Sequence, residues 1–209
     1  MTLVQSLAAF LLAGGLLTIT PGLDTALVLR TTASEGRTAA VMAMVGIQLG
    51  CLIWGAAVAV GLGALLQASS LAYTALTWVG AAYLVYVGVT LLVRPRQSFA
   101  IGAEAPTQMS ATTWLWRGLL TNLLNPKIGV FYVSFLPQFV PVGYAPAPYI
   151  FGLAIYHDLI GITWLSLLIL GMDRLRPHLQ RPAIVAWLDR LTGLVFVAFG
   201  LRLVLARRA

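Results

Sequence analysis

Three charged side chains lie deep inside apolar stretches of this chain, where an ionised group is costly. They are Asp24, Lys127 and Asp158, and two of them follow a helix-breaking proline, in Thr20-Pro21-Gly22-Leu23-Asp24 and Asn125-Pro126-Lys127. A charge at the centre of a membrane helix costs about 2.5–3.5 kcal/mol on insertion scales, so all three must face a protein interior or an aqueous cavity and find partners there. Lys127 lies ten residues beyond Arg117, which at helical rise is about 15 Å and close to mid-bilayer. Two acids and one ammonium at that depth could hold a zwitterion or pass protons. The spacing predicts that Lys127 pairs with Asp24 or Asp158 and that substrate or proton binding breaks the pair.

The prolines supply a second kind of chemistry. Proline has no backbone N–H and clashes with the preceding turn, so Pro21 and Pro126 each free carbonyl groups that hydrocarbon cannot satisfy. Gly22 lets the chain unwind after Pro21, and the half-helix restarting there would aim its N–H groups and positive dipole end at an anion such as a carboxylate. Asn125 could bond the freed backbone or a ligand. The candidate substrate-binding set is therefore Pro21, Gly22, Asp24, Gln48, Asn122, Asn125, Pro126 and Lys127, and the candidate proton-coupling groups are Asp24, Asp158 and His157. Consecutive helical residues point about 100° apart, so of His157 and Asp158 only one is expected to face a cavity directly. Thr18, Thr20, Cys51 and Thr121 are weaker candidates, because such side chains often bond neighbouring backbone in membranes. His178 reads as a solvated loop residue.

The elements that carry these residues follow from composition. Hydrophobic residues make up 60% of the 209, charged residues only 9%, and mean hydropathy is +0.91. No soluble domain of this size could bury so much apolar surface, so the chain reads as an integral membrane protein. The net charge of +7 is carried by residues between apolar runs without aromatic interleaving, which argues for loop orientation and against nucleic acid. The single cysteine, Cys51, excludes an internal disulfide or a cysteine metal cluster. The N-terminal apolar stretch has no Lys or Arg before it and resumes after Pro21, which reads as a retained first span rather than a cleaved signal peptide.

Six stretches are long enough to span a bilayer, at roughly 3–29, 39–66, 71–93, 117–140, 148–172 and 187–206. The second is overlong and is expected to tilt, or to bend around Gly46, Gly50 and Gly55. Arg30, Arg37, Arg94, Arg96, Arg117, Arg174, Arg176, Arg181 and Arg190 border the odd connections, while the even ones carry no basic residue. The positive-inside rule then places the odd connections in the cytoplasm and both termini outside, with Arg207 and Arg208 against the bias.

The halves echo each other. Leu16-Leu17-Thr18 precedes Pro21 as Leu119-Leu120-Thr121 precedes Pro126, Gly46 and Gly55 share their separation with Gly152 and Gly161, and Gly88 to Arg94 resembles Gly200 to Arg207. Three spans is an odd number, so the halves would insert in opposite senses. The expected fold is all-α and integral to the membrane, with six transmembrane helices as two inverted three-helix repeats, helices 1 and 4 being broken at Pro21 and Pro126. One transporter domain is expected over 1–209, with repeat one at about 1–93, a cytoplasmic linker at about 94–116 and repeat two at about 117–209. The small-xxx-small spacing of Gly46 and Gly50 predicts a close helix contact, within the protomer or in a homodimer.

The chain has no His-Glu-x-x-His, Gly-x-Ser-x-Gly or P-loop motif, so it does not read as an enzyme, needs no cofactor or metal, and would draw on an ion or voltage gradient for uphill transport. Its ordered motifs add a likeness. Pro21-Gly22-x-Asp24, Gly36-Arg37 with Gly46 and Gly50, Gly80-Ala81-Ala82-Tyr83-Leu84, Asn125-Pro126-Lys127, Phe135-Leu136-Pro137-Gln138-Phe139 and Leu191-Thr192-Gly193 resemble the LysE/RhtB family of bacterial amino-acid exporters. The likeness implies a six-span inner-membrane protein exporting amino acids or their derivatives on the proton-motive force, with that small molecule, protons and the lipid bilayer as its partners. The family usually reads Pro-Gly-Pro, whereas Leu23 stands here in place of the second proline. Cation or metal efflux, and a non-transporting structural membrane subunit, are the competing readings. Two dispersed acids with a central lysine make a poor cation cage.

Overall fold

A computed structural model describes residues 2–68, 70–95, 109–179 and 181–205. Among them the secondary structure is helical throughout: α1 (Leu3–Ile19), α2 (Leu23–Ser34), α3 (Arg37–Ala68), α4 (Ser70–Val93), α5 (Ala111–Leu123), α6 (Pro126–Phe135), a 3₁₀ turn (Leu136–Phe139), α7 (Pro146–Leu179) and α8 (Pro182–Leu205). Residues 96–108 of the expected linker, with Arg96, and the terminal pair Arg207 and Arg208 lie outside the described residues.

Both prolyl motifs interrupt a helix. α1 and α2 meet at 50° across the break at residues 20–22, and α5 meets the helical stretch from Pro126 to Phe139 at 53°. The two breaks are finished differently. Asn125 caps α6, its side-chain oxygen accepting from Lys127 N at 3.1 Å with Pro126 in the first turn, whereas Gly22 leads into α2 with no side-chain cap.

Among the described residues three helices are long and apolar enough to cross a membrane, within Arg37–Gly61, Pro146–Arg174 and Pro182–Leu201, and each bent pair adds one more if it is a single broken span, giving up to five. α4 has 24 residues, of which Trp78–Val93 forms a shorter apolar helix. Large apolar side chains such as Val4, Leu12, Val60, Leu124 and Leu170 are exposed on the outer surface, as hydrocarbon surroundings allow.

Several boundaries differ from the sequence expectation for local reasons. α5 begins at Ala111, inside the stretch read as linker, because Ser110 caps it by accepting from Thr113 N. α7 runs through Pro177 to Leu179, so His178 is an exposed residue of its last turn rather than of a loop. α3 is one continuous helix of 32 residues, and its Gly46, Gly50 and Gly55 admit close neighbours.

Those neighbours set the packing. A Cβ on Gly46 would lie 2.0 Å from the Leu115 carbonyl oxygen, one on Gly118 would lie 2.0 Å from that of Ala43, and one on Gly50 would lie 2.6 Å from Asn122 Oδ1. α3 and α5 therefore run parallel in backbone contact, and the Gly46/Gly50 face is used inside the protomer. Gly88 and Gly193 meet each other's carbonyl groups in the antiparallel pair α4/α8, while Gly55 meets Ala154 and Gly161 meets Gln48 in the antiparallel pair α3/α7. An exposed ion pair, Arg37 to Asp173 at 3.3 Å, ties the start of α3 to the end of α7.

Two apolar clusters form the interior. One gathers Phe10, Phe131, Tyr132, Phe135 and Phe139 with parts of α3, α4, α7 and α8. The other gathers Val28, Leu29, Met44, Ile47, Leu165 and Ile169. The candidate site lies where the two clusters meet.

Candidate functional site

A small cavity of about 40 Å³ opens between α1, α2, α3, α6 and α7. Gly22, Asp24, Gln48, Asn125, Lys127 and His157 all border it, so the structure collects six of the sequence-predicted residues from four helices and their N-caps. The helical spacing explains the grouping. His157, Gly161, Trp164 and Leu165 form an i, i+4, i+7, i+8 stripe on α7, and Ile47, Gln48 and Cys51 form the facing stripe of α3.

Lys127 makes the longest reach. Its Nζ donates to the carbonyl oxygens of Leu17 at 2.8 Å and Thr20 at 2.7 Å, on the other side of the break at Pro21. Leu17 is the residue whose carbonyl a normal residue at position 21 would bond, and Pro21 has no N–H to offer. The ammonium therefore caps the helix end that the proline opened. Gly22 makes room for this, since a Cβ there would lie 3.3 Å from both Cδ and Nζ of Lys127.

Asp24 reaches the opposite way, toward the second break. Its Oδ2 accepts from Asn122 Nδ2 at 2.8 Å, and the same amide donates to Cys51 Sγ at 3.3 Å. Asn122 thus stands behind the cavity wall, held against α3 by the absent side chain of Gly50. The other oxygen of Asp24, Oδ1, is buried without a hydrogen bond of good geometry although the Asn125 side chain interacts with the same carboxylate, and the indole N–H of Trp164 is buried and donates none. One poorly met acceptor and one orphan donor thus belong to side chains of the same lining.

The expected pairing of Lys127 takes a different form. Lys127 acts electrostatically on Asp24 and its Nζ also donates to backbone carbonyls, while Asp158 is engaged by Gln48. With the Gln48 amide oriented to satisfy both ends, Nε2 donates to Asp158 Oδ1 at 3.1 Å and Oε1 accepts from Ile162 N at 3.0 Å. Asp158 lies one step behind the lining while His157 is part of it, as their angular separation on α7 requires.

His157 is clamped at both nitrogens. Thr18 Oγ1 stands 3.1 Å from Nε2 and Tyr132 OH 3.0 Å from Nδ1, with the rings of Phe10 and Phe131 packed around it. Tyr132, Thr25 and Trp164 were not singled out by the sequence. Aromatic residues are frequent in membrane helices, and no local spacing marks those that turn inward.

A larger cavity of about 260 Å³ flanks the second break, lined by Trp54, Val79, Leu124, Pro126 and Val133 among others. Asn125 borders both cavities. The larger one is almost wholly apolar and has no charged lining, so the small polar cavity is the better candidate for recognising a charged solute.

The class of this apolar helical protein, with Asp24 and Lys127 at two broken helices, follows from comparison with known proteins. The profile of the LysE type translocator matches residues 16–207, and the chain belongs to that family. It is 31% identical over 194 residues to the threonine efflux protein of Escherichia coli (strain K12), covering 90% of this chain and 92% of that one. It is 33% identical over 205 residues to the homoserine/homoserine lactone efflux protein of Salmonella typhimurium (strain LT2), covering 96% and 97%. An uncharacterized membrane protein of Vibrio cholerae is 30% identical over 204 residues, covering 95% and 96%. No solved structure matches the chain.

Proposed function

We propose that this protein is a secondary exporter of amino acids or close derivatives, working by proton antiport in a bacterial inner membrane. The observation that carries the reading is the pair of unmet groups on one cavity lining: the Asp24 oxygen without a hydrogen bond of good geometry and the Trp164 N–H that donates nothing. A zwitterion has one group for each. Its ammonium would meet Asp24, and its carboxylate would meet Trp164, Lys127 and the uncapped N-terminus of α2 at Gly22. The efflux of threonine and of homoserine by relatives similar over nearly their whole length supports this substrate class.

Six spans fit the helices if α1–α2 and α5–α6 each cross once with a break, joined by α3, α4, α7 and α8. The α3/α7 interface supports an inverted repeat. A shift of 106 residues carries Gly55 to Gly161 and Gln48 to Ala154, so the contacts Gly55 with Ala154 and Gly161 with Gln48 exchange. The breaks exchange in kind as well: Lys127 of the second reaches the first, and Asp24 of the first reaches the second. The ion pair Arg37–Asp173 puts the first and fifth connections at one end, in keeping with a cytoplasmic side rich in arginine.

The cavity is about 40 Å³, room for roughly three waters at the ~10–15 Å³ each needs by the same measure, so a solute as large as threonine would enter once the broken helices move apart. The two bends supply the hinges for such alternating access. Protons would be exchanged at Asp24, Asp158 or His157. A second copy, if the protein dimerises, must use a face other than Gly46/Gly50.

The test is purified protein in liposomes with an imposed pH gradient, screened against a panel of amino acids that includes threonine and homoserine. Saturable flux coupled to proton movement in the opposite direction supports the proposal. Unsaturable, uncoupled flux replaces it with a channel, and unimpaired export after neutralising Lys127 or Asp24 removes the proposed site.

A further inference from the structure

The hydrogen bonds around His157 fix its proton. Thr18 has one hydroxyl hydrogen, and it is donated to the Gly14 carbonyl at 2.8 Å. The Thr18 oxygen, 3.1 Å from Nε2, can then only accept from the ring, so Nε2 carries a hydrogen. In the neutral ring Nδ1 is a lone pair, and the hydroxyl 3.0 Å away on Tyr132 donates to it.

We propose that Tyr132 is a positioning residue that holds His157 as its neutral Nε2–H tautomer, and that its hydroxyl turns onto Cys51 when His157 takes up a proton. The step needs no bond to break in Tyr132. The incoming proton forms an N–H at Nδ1, which then donates to the Tyr132 oxygen, and the phenolic hydrogen rotates about the C–O bond to another acceptor. Cys51 is in place as that acceptor: it belongs to the same buried cluster as Tyr132, and its sulfur takes the Asn122 amide at 3.3 Å. Asn122 in turn donates to Asp24 at 2.8 Å. A polar chain therefore runs His157, Tyr132, Cys51, Asn122, Asp24, from the back of the cavity to the carboxylate that faces it. Proton uptake at one end alters the hydrogen bonding of the group proposed to hold the substrate's ammonium.

The surroundings of the ring are defined on every side. α1 presents Thr18, Gly14 and Phe10, α3 presents Cys51, α6 presents Tyr132, Phe131 and the charge of Lys127, and α2 contributes Asp24 across the cavity. On α7 itself Asp158 turns to Gln48, and Tyr156 packs on Phe10. Tyr132 is the side chain that reaches Nδ1.

The transport consequence rests on the export reading, whereas the tautomer does not, and the experiment separates them. The chain has two histidines, so His178→Gln, at an exposed position, leaves a single imidazole for ¹⁵N NMR of the protein in lipid bilayers. The expected neutral spectrum has a protonated Nε2 and a bare Nδ1 that is hydrogen-bonded. Tyr132→Phe should shift the Nδ1 resonance or admit the second tautomer. A neutral ring protonated at Nδ1, or a Tyr132→Phe spectrum identical to the parent's, overturns the assignment. In proteoliposomes, Tyr132→Phe and Cys51→Ala should each displace the pH profile of flux by about one pH unit, the scale of one lost hydrogen bond, while Cys51→Ser keeps the parent profile. Profiles that all coincide overturn the switch. No flux in the parent itself, with the expected spectrum, overturns the export reading and leaves the tautomer assignment intact.

Discussion

The ammonium of Lys127 takes up the Leu17 carbonyl that Pro21 cannot bond, at 2.8 Å, and the Thr20 carbonyl beside it at 2.7 Å. A charge on one broken helix thus completes the hydrogen bonding of the other. Its loss strands acceptors in a region with little water, at about 1–3 kcal/mol for each buried group left unmet. Lys127→Met should lower the thermal midpoint of the purified protein and reduce export at least tenfold. A variant with unchanged melting and flux would refute the capping role.

The proline and the lysine should also be coupled. Pro21→Ala restores an N–H that can bond Leu17, so in the Lys127→Met background it should recover part of the stability that Lys127→Met loses. The four melting curves of the cycle are expected to give an interaction of about 1 kcal/mol or more, above the few tenths typical of independent sites. Simple additivity would mean that the two residues do not share the Leu17 carbonyl. Transport should not recover, because the straightened helix loses its hinge.

The two unmet groups of the cavity predict separate losses. Asp24→Asn keeps the shape of the side chain and a partner for Asn122 but removes the charge available to an ammonium. A hydrogen bond to a charged group is worth about 1.5–3 kcal/mol, so the half-saturating substrate concentration should rise roughly tenfold to a hundredfold. Trp164→Phe keeps the ring and removes only the N–H, and should raise the same quantity about threefold to tenfold with little change in melting temperature. Initial-rate measurements over a substrate range check both. If Trp164→Phe is indistinguishable from the parent, the indole is lining rather than ligand.

Much of the site was legible because its signals are local. A proline removes one donor from a known carbonyl, and a charge in an apolar run must turn inward, so Pro21, Pro126, Asp24, Lys127 and Gln48 could be named from the chain alone. What is written in tertiary contact was not legible. Opposite charges suggest an ion pair, and Lys127 does act electrostatically on Asp24, but only the folded chain shows its Nζ also donating to the Leu17 and Thr20 carbonyls beside the proline break. Tyr132 and Trp164 look like any membrane aromatic until α6 and α7 bring them inward. Gly46 and Gly50 read correctly as a packing face, but only the parallel approach of α5 shows that the face is already occupied.

That approach makes a stability prediction with its own control. A methyl group at Gly46 or Gly118 would meet backbone oxygen at 2.0 Å, which no rotamer change can relieve. Gly46→Ala and Gly118→Ala should therefore cost at least the ~1–3 kcal/mol usual for overpacking and reduce the yield of folded protein on size-exclusion chromatography. Gly152 has nothing within 4 Å of its would-be Cβ, and Gly152→Ala should be neutral or up to about 1 kcal/mol stabilising through helix propensity. Equal effects at all three positions would mean that α3 and α5 do not pack backbone to backbone.

Substitution at Asp158 tests which buried group would carry the coupling proton of the proposed antiport. It sits behind the cavity lining, held by Gln48 Nε2 at 3.1 Å, while Gln48 itself borders the cavity. Gaining or losing a proton on Asp158 would change what Gln48 can donate to, and so alter the lining without touching substrate. Asp158→Asn fixes the neutral form at nearly constant volume and should leave the fold and melting curve close to the parent's. If Asp158 is the coupling group, this variant still exchanges substrate down its gradient but no longer accumulates it against one when a pH gradient is imposed, and flux loses its pH dependence. Normal concentrative, proton-coupled flux in Asp158→Asn would exclude that role and shift it to His157 or Asp24. Gln48→Leu should then distinguish the route: it breaks the link from Asp158 to the cavity, so it reproduces the uncoupled behaviour only where the signal passes through that amide.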